Sequence, residues 1–261
     1  MDIALQQIIE TVYEAGAVIM HYFRSVHLQV EQKKDESPLT IADREANSIL
    51  THMLERYSGH PVVSEENAML PYEERCRWHK FWLVDPLDGT KSFIRGEETF
   101  TVNVALIKGQ LPVMGLLYAP AYDTLYYAVQ GQGAFRVQQR GQAQPLKRPP
   151  MPPYLTALIS KSHRGNQDKE LLRGLPVKHF VPLSSALKFA RVAEGKAHIY
   201  VRTGPTMEWD TAAGQAIVEE VGGVVLDLQG NPLIYNKKEM RNDGFVCKLY
   251  PELQTYSPAK E

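Results

Sequence analysis

An apolar run, Phe81-Trp82-Leu83-Val84, leads directly into Asp85-Pro86-Leu87-Asp88-Gly89-Thr90. Proline has no amide to give a ladder, so the strand predicted for the apolar run stops at Pro86. Two carboxylates are thereby delivered just outside the carboxyl end of a buried strand, the edge at which open α/β sheets bind ligands. Asp85, Asp88 and the Leu87 carbonyl are hard oxygen donors suited to Mg²⁺, which keeps its remaining positions for water and phosphate. Gly89 permits close backbone approach, and Thr90 stands at a helix start, where phosphate oxygens are stabilised. Taken alone, an Asp-x-x-Asp turn is equally well explained as an ordinary loop.

On the amino-terminal side, Leu5, Ile8, Ile9, Val12, Ile19, Met20 and Phe23 follow helical spacing. A polar link, Gln32 to Pro38, separates them from Thr40-Ile41-Ala42-Asp43, which has the form of a capping box. Ile49, Leu50, Met53, Leu54 and Tyr57 continue that second helix, and Gly59 is placed to end it. The helix pair is expected to cover one face of a sheet. Beyond Gly59 the period falls to two, with strands predicted at Pro61–Val63, Phe81–Val84, Phe100–Leu106, Leu111–Tyr118, Leu125–Val129 and Ala134–Val137. Gln138 to Pro153 is polar and proline-rich, so two α/β subdomains are expected, 1–150 and 151–261. In the second, strands at Leu155–Ile159, Ala197–Val201 and Val224–Leu228 alternate with helices at Ser184–Glu194 and Asp210–Val221. Mixed sheets covered by helices follow from this alternation.

Composition narrows the function. The chain of 261 residues is 44% hydrophobic, and its 29 Lys and Arg against 30 Asp and Glu leave a net charge of -1. That balance excludes a general electrostatic affinity for nucleic acid. Cys76 and Cys247 have no metal-ligand spacing and are too few for a disulfide framework, as in a reducing compartment. The first residues lack a basic region followed by an apolar run, so no signal peptide is expected. Gly109 to Tyr122 is uncharged but contains Pro112 and Pro120 and is too short to span a bilayer. A cytoplasmic protein without stable membrane insertion is expected.

Other carboxylates also sit at element ends. Glu65 and Glu66 follow the Pro61–Val63 strand, Asp210 opens a helix after Trp209, and Asp43 lies in the first turn of the second helix. Acidic residues at helix starts are ordinary, because they complement the dipole and satisfy free N–H groups. Competing chemistries lack their motifs: there is no P-loop, no dinucleotide fingerprint and no Gly-x-Ser-x-Gly elbow. Neither cysteine lies in an electropositive motif. A carboxylate cage for metal and phosphate remains.

Three segments carry a resemblance. Ser64-Glu65-Glu66, Val84-Asp85-Pro86-Leu87-Asp88-Gly89-Thr90 and Trp209-Asp210-Thr211-Ala212-Ala213-Gly214 resemble, in order, the signatures of the lithium-sensitive, Mg²⁺-dependent inositol monophosphatase superfamily. Further stretches are similar to the 3′(2′),5′-bisphosphate nucleotidase branch of that superfamily. These are Thr90–Ile94 with Phe100–Ile107, Ser160-Lys161-Ser162-His163-Arg164, Ser184–Phe189 and Gly204-Pro205-Thr206. Where inositol phosphatases of the superfamily tend to carry a sugar-binding Glu, seven residues before the last metal Asp, this chain has Thr203.

The resemblance implies an α/β/α/β/α layered sandwich of the inositol monophosphatase and fructose-1,6-bisphosphatase type. It also implies two Mg²⁺ ions, one on Glu65, Asp85 and the Leu87 carbonyl, the other on Asp85, Asp88 and Asp210, with a third, weaker ion near Glu65. Asp43, Glu65 and Thr90 are the implied catalytic residues, orienting or deprotonating water. The substrate is expected at Glu65, Leu87, Asp88, Gly89, Thr90, Ser160, His163, Ser184, Lys188 and Asp210, with Lys188 and Arg164 as candidates for a second phosphate. The implied activity converts adenosine 3′,5′-bisphosphate (PAP) to AMP and phosphate, with the sulfated analogue PAPS as a further substrate. An inositol or sugar phosphate monophosphatase, and an inactive nucleotide- or metal-binding module, are the alternatives. Peripheral contact with the inner face of the cell membrane is an additional implication. Tyr118, Tyr122, Tyr126, Tyr127, Met151 and Met207 are expected to pack rather than to stack on adenine.

Overall fold

In the computed structural model, which describes residues 3–25, 30–32, 38–160 and 165–255, the two amino-terminal patterns form α1 (Ile3–Tyr22) and α2 (Ile41–Ser58). A short ribbon of β1 (Val30–Gln32) and β2 (Pro38–Thr40) joins them. The capping box is present: Thr40 Oγ1 accepts from the Asp43 amide, and the Asp43 carboxylate accepts from the Thr40 amide. Gly59 closes α2 in the left-handed region at φ 66°, as its position predicts.

A seven-stranded sheet follows, in the order β3 (Val62–Ser64), β4 (Lys80–Asp88), β5 (Thr101–Lys108), β6 (Leu111–Ala119), β7 (Thr124–Val129), β8 (Gly133–Gln138) and β9 (Gln144–Pro145). Two short helices, α3 (Tyr72–Arg75) and α4 (Thr90–Ile94), lie at its connections. Side chains alternate across it. Trp82, Val84, Val102, Val104, Leu116 and Tyr118 pack under α1 and α2, while Phe81, Leu83, Ala105 and Ile107 face the other way.

The rest of the chain builds a five-stranded sheet from β10 (Leu155–Ser160), β11 (Val177–Leu183), β12 (Ile199–Arg202), β14 (Val224–Leu226) and β16 (Phe245–Lys248), ordered β11-β10-β12-β16-β14. Its helices are α5 (Gly165–Glu170), α6 (Leu187–Ala193) and α7 (Ala212–Glu220), and β13 (Thr206–Met207) pairs with β15 (Arg241–Asn242) outside the sheet. α6 and α7 lie between the sheets: Phe189, Ala190, Ile217 and Val218 share one core with Leu117 and Ala128 of the first sheet and with Ile199 and Phe245 of the second. α5 follows the edge of the second sheet, where Leu172 joins the same core. The layers run helix pair, sheet, helix pair, sheet, helix, the expected five-layered sandwich. Among the described residues no helix is long and apolar enough to cross a membrane.

Three predicted boundaries move. β4 does not stop at Pro86: pairing resumes at Asp88↔Thr101 after Asp85↔Asn103, with Pro86 and Leu87 in the register shift between them. A proline is tolerated there because a bulge asks no amide of it. The helix predicted from Ser184 begins at Leu187, because Ser185 has φ 58° and turns the chain. The helix predicted from Asp210 begins at Ala212, after a single 3₁₀ turn over Glu208–Asp210. Met151 and Tyr122 were expected to pack but are 42% and 40% exposed; Tyr118, Tyr126 and Tyr127 are buried in strand faces.

α7 approaches β6 closely because Gly115 has no side chain. A Cβ there would lie 2.5 Å from the Ala213 carbonyl oxygen and 2.8 Å from Ala216 Cβ. Gly115→Ala is expected to lower the free energy of unfolding by about 1–3 kcal/mol through overpacking, read from the urea midpoint. An unchanged midpoint would show that this contact does not set the spacing of helix and sheet.

Candidate active site

β3 and β4 are parallel, with Ser64 opposite Val84, so Glu65 and Asp85 leave the sheet side by side. The Glu65 amide donates to the Val84 carbonyl at 3.1 Å, extending the pairing to the carboxylate-bearing residue itself. Alternation along β4 puts Asp85 on the face of Phe81 and Leu83, towards α7. Asp210 arrives at that face from the 3₁₀ turn before α7 and is oriented by the Met207 amide, which donates to Oδ2 at 2.8 Å. One carboxylate oxygen each from Glu65, Asp85 and Asp210 lies within 4.8 Å of the others.

That arrangement is electrostatically costly without a counter-ion. Burial, then the charges of Glu65, Asp88, Asp210 and Glu66, pushes the Asp85 carboxyl well above the usual carboxylate range. Asp210 is raised by burial and by Asp88 and Glu65. Three hard oxygen donors at mutual ligand distance, two of them with ionisation disfavoured by burial and by neighbouring acids, fit a divalent cation.

Asp88 lies just beyond this trio. Its Oδ2 accepts the Ala186 amide at 2.5 Å and Asn103 Nδ2 at 3.3 Å, tying the end of β4 to the turn before α6. Asp43 is buried, with Oδ2 accepting from Thr40. Thr90 Oγ1 lies 3.0 Å from the Leu87 carbonyl oxygen and 3.4 Å from Asp43 Oδ1. Its single hydrogen therefore has two competing acceptors. Gly89 stands at φ 95°, and a Cβ on it would meet the Thr99 carbonyl oxygen at 3.0 Å. The tight turn needs glycine.

The cavity between these groups measures about 300 Å³ and is lined by Glu65, Asp85, Leu87, Asp88, Gly89, Thr90, Ser160, Ser184, Lys188 and Asp210, together with Lys91, Ser92, Ser185 and Arg202. Nine of the ten residues expected to meet substrate thus share one cavity; His163, with Arg164, lies outside the described residues. Lys188 is not on a solvated helix face. It is buried, donates from Nζ to the carbonyls of Ser185 (2.6 Å) and Leu183 (3.1 Å), and sits 4.9 Å from the Tyr200 ring centroid. Burial lowers its pKa to about 7, against the opposing pull of Asp88 and Asp210.

Arg202 was missed in the sequence. It ends β12, and its Nη2 is held by the Pro205 carbonyl at 2.9 Å, while its buried Nε has no partner among the described residues. The available signal was a basic residue at a strand end shortly before Gly204-Pro205-Thr206. Thr203 is turned to another purpose: its amide and hydroxyl both donate to Asp168 Oδ1, at 2.9 and 2.8 Å.

Away from the cavity, a second polar cluster fixes the turn that carries Asp210. The buried Glu208 carboxylate accepts the amides of Asn236 (2.7 Å) and Lys237 (3.0 Å). Buried Arg75 donates to Asn236 Oδ1 at 2.8 Å and to the carbonyls of Lys237 and Lys238.

The strained carboxylates make a stability prediction. Their folded forms hold protons to higher pH than the unfolded chain does, so the metal-free fold loses stability as pH rises above the ordinary aspartate range. Asp85→Asn removes one charge, and its Oδ1 can still accept from the Leu87 amide, as Asp85 does at 3.1 Å. The metal-free variant is expected to melt above wild type at pH 8, the gap closing as pH falls through the raised folded value towards the ordinary aspartate range, and to gain less from added Mg²⁺. Equal melting temperatures at pH 8 would remove the electrostatic strain.

Comparison with known proteins bears on the whole chain. The sequence profile of the inositol monophosphatase family matches residues 3–255. The 3′(2′),5′-bisphosphate nucleotidases CysQ of Salmonella typhimurium and of Escherichia coli K12 are each 39% identical over 249 residues, covering 94% of this chain and 100% of theirs. The crystal structure of CysQ from Bacteroides thetaiotaomicron superposes with a TM-score of 0.83 at 36% identity, over 93% of this chain and 96% of that one. The chain belongs to the inositol monophosphatase family.

Proposed function

We propose that this chain is a divalent-cation-dependent phosphatase that removes the 3′-phosphate of adenosine 3′,5′-bisphosphate, giving AMP and phosphate, and that it acts likewise on PAPS. One observation carries the reading. The same cavity joins a carboxylate cluster that calls for cations to a wall bearing Lys188 and Arg202. A substrate with two separated anionic groups answers both ends. The nucleotidase relatives named CysQ support this choice, and so does the absence of a carboxylate at Thr203, which a sugar-hydroxyl site would use.

Glu65, Asp85 and the Leu87 carbonyl would hold one Mg²⁺ and Asp85, Asp88 and Asp210 a second, with a weaker third near Glu65. Bound there, the cations would neutralise charge on the phosphate oxygens and acidify the attacking water. The chain's own groups do the rest. The amides of Gly89 and Thr90, two residues that line the cavity at the start of α4, would stabilise the phosphate oxygens. With its hydrogen given to Asp43 Oδ1, Thr90 Oγ1 would keep a lone pair to accept from water, and Glu65 would take the proton. Phosphoryl transfer needs chiefly positioning and electrostatic stabilisation, so no covalent nucleophile is required. A second phosphate beside Lys188 would favour its ammonium form, and Ser160 and Ser184, which line the same cavity, would supply hydroxyls. The balanced net charge and two free thiols suit a cytoplasmic enzyme of small molecules.

Phosphate release with Mg²⁺ across PAP, PAPS, inositol 1-phosphate and fructose 1,6-bisphosphate is expected to favour PAP, and preference for inositol phosphate would overturn the specificity. Asp88→Asn should lower kcat by about a hundredfold or more; wild-type turnover at saturating Mg²⁺ would refute its role. Lys188→Met should raise KM for PAP about tenfold or more through the lost charged contact, with a smaller effect on 3′-AMP, which lacks the second phosphate. Equal effects on both substrates would move Lys188 away from that group.

A further inference from the structure

One face of β5 changes character along its length. Ile107 and Ala105 pack into the apolar cluster with Ala212 and Ala213 of α7. The next two residues on that face, Asn103 and Thr101, are polar and equally buried. The register sets them opposite Asp85 and Asp88, one on each side of the bulge. Asn103 Nδ2 donates to Asp88 Oδ2 at 3.3 Å. Chemistry fixes the sense of that amide, because turned over its oxygen would face a carboxylate. In this sense Asn103 Oδ1, like Thr101 Oγ1, has no hydrogen-bond partner among the described residues. Buried polar atoms without partners oppose folding, so packing does not account for Asn103 here.

Asp88 does account for it. Oδ2 is committed to two protein donors, Asn103 Nδ2 on one side and the Ala186 amide at 2.5 Å on the other. The second oxygen, Oδ1, takes no hydrogen bond from the described residues. We propose that Asn103 is a positioning residue for Asp88, holding Oδ2 so that the carboxylate offers Oδ1 alone to a divalent cation. This rests on Asp88 being a cation ligand. Ala186 fixes the same oxygen from the substrate-side turn, so the carboxylate is held from β5 and from the start of α6 at once.

Asn103→Leu keeps the shape and removes the donor. Thr101→Val, on the same face, removes an unpartnered hydroxyl without touching Asp88. Melting temperature followed against Mg²⁺ concentration, without substrate, reads cation binding apart from turnover. Asn103→Leu is expected to raise the Mg²⁺ concentration for half-maximal stabilisation about tenfold, as loss of a group supporting a metal ligand does. Its metal-free melting temperature should stay at or above wild type. At saturating Mg²⁺, kcat for PAP should fall about tenfold or more while KM moves less than about threefold. Thr101→Val should keep the wild-type Mg²⁺ midpoint. A wild-type midpoint and kcat in Asn103→Leu, or a loss confined to metal-free stability, overturns the inference, as do equal shifts in both variants. Asn103→Ala serves the same comparison if the leucine variant does not fold. Asp88→Asn in parallel separates the two readings. If it leaves the midpoint unchanged, Asp88 is not a ligand and the inference falls with it; if it moves the midpoint and Asn103→Leu does not, only the inference falls.

Discussion

Repulsion among carboxylates gathered around the buried Asp85 is the constraint around which this molecule is arranged. Glu65, Asp85 and Asp210 are brought within ligand distance of one another although burial and the surrounding acids raise the cost of ionising Asp85 and Asp210. Only a rigid frame can hold them so. The parallel pairing of β3 and β4 places the first two, and the Met207 amide fixes the third. The fold stores an electrostatic debt that a cation relieves, and this links the stability of the empty protein to its appetite for metal.

The layering explains why both sheets are needed. The first sheet presents its carboxyl-end acids on the face covered by α7, and the second sheet closes the cavity with Ser160 and Arg202, with Lys188 of α6 beside them. The acidic trio is itself assembled from both stretches of chain, Glu65 and Asp85 from the first sheet and Asp210 from the turn before α7. Asp88 joins them, because its Oδ2 accepts a backbone amide 98 residues away in sequence.

Local features were legible in the sequence. The capping box at Thr40 and Asp43, the glycine stop at Gly59 and the alternation through Val102 and Val104 are each decided within a few residues, and each forms as expected. The helix pair over the first sheet followed from spacing alone. The family resemblance led to the five layers and to the acidic trio, which periodicity would have left as separate loop residues. What depended on distant partners was hidden. The bulge over Pro86 and Leu87 exists because β5 pairs on both sides of it. β11 and β16 were not foreseen: β11 is a polar-faced edge strand and β16 a four-residue one, and the pairing of β16 between β12 and β14 is set only in the folded sheet. Burial of Lys188 and the placing of Arg202 and Asn103 come from packing between layers, which no one-dimensional pattern carries.

The buried Arg75 has a mechanical consequence. Its guanidinium bridges α3 to the Asn236–Lys238 segment, which in turn grips Glu208 beside Asp210. Pulling that segment away from α3 and from the Asp210 turn would strand a guanidinium and a carboxylate in apolar surroundings, a movement that buried charges strongly resist. The turn that presents Asp210 is thus riveted from behind, by groups that do not themselves line the cavity.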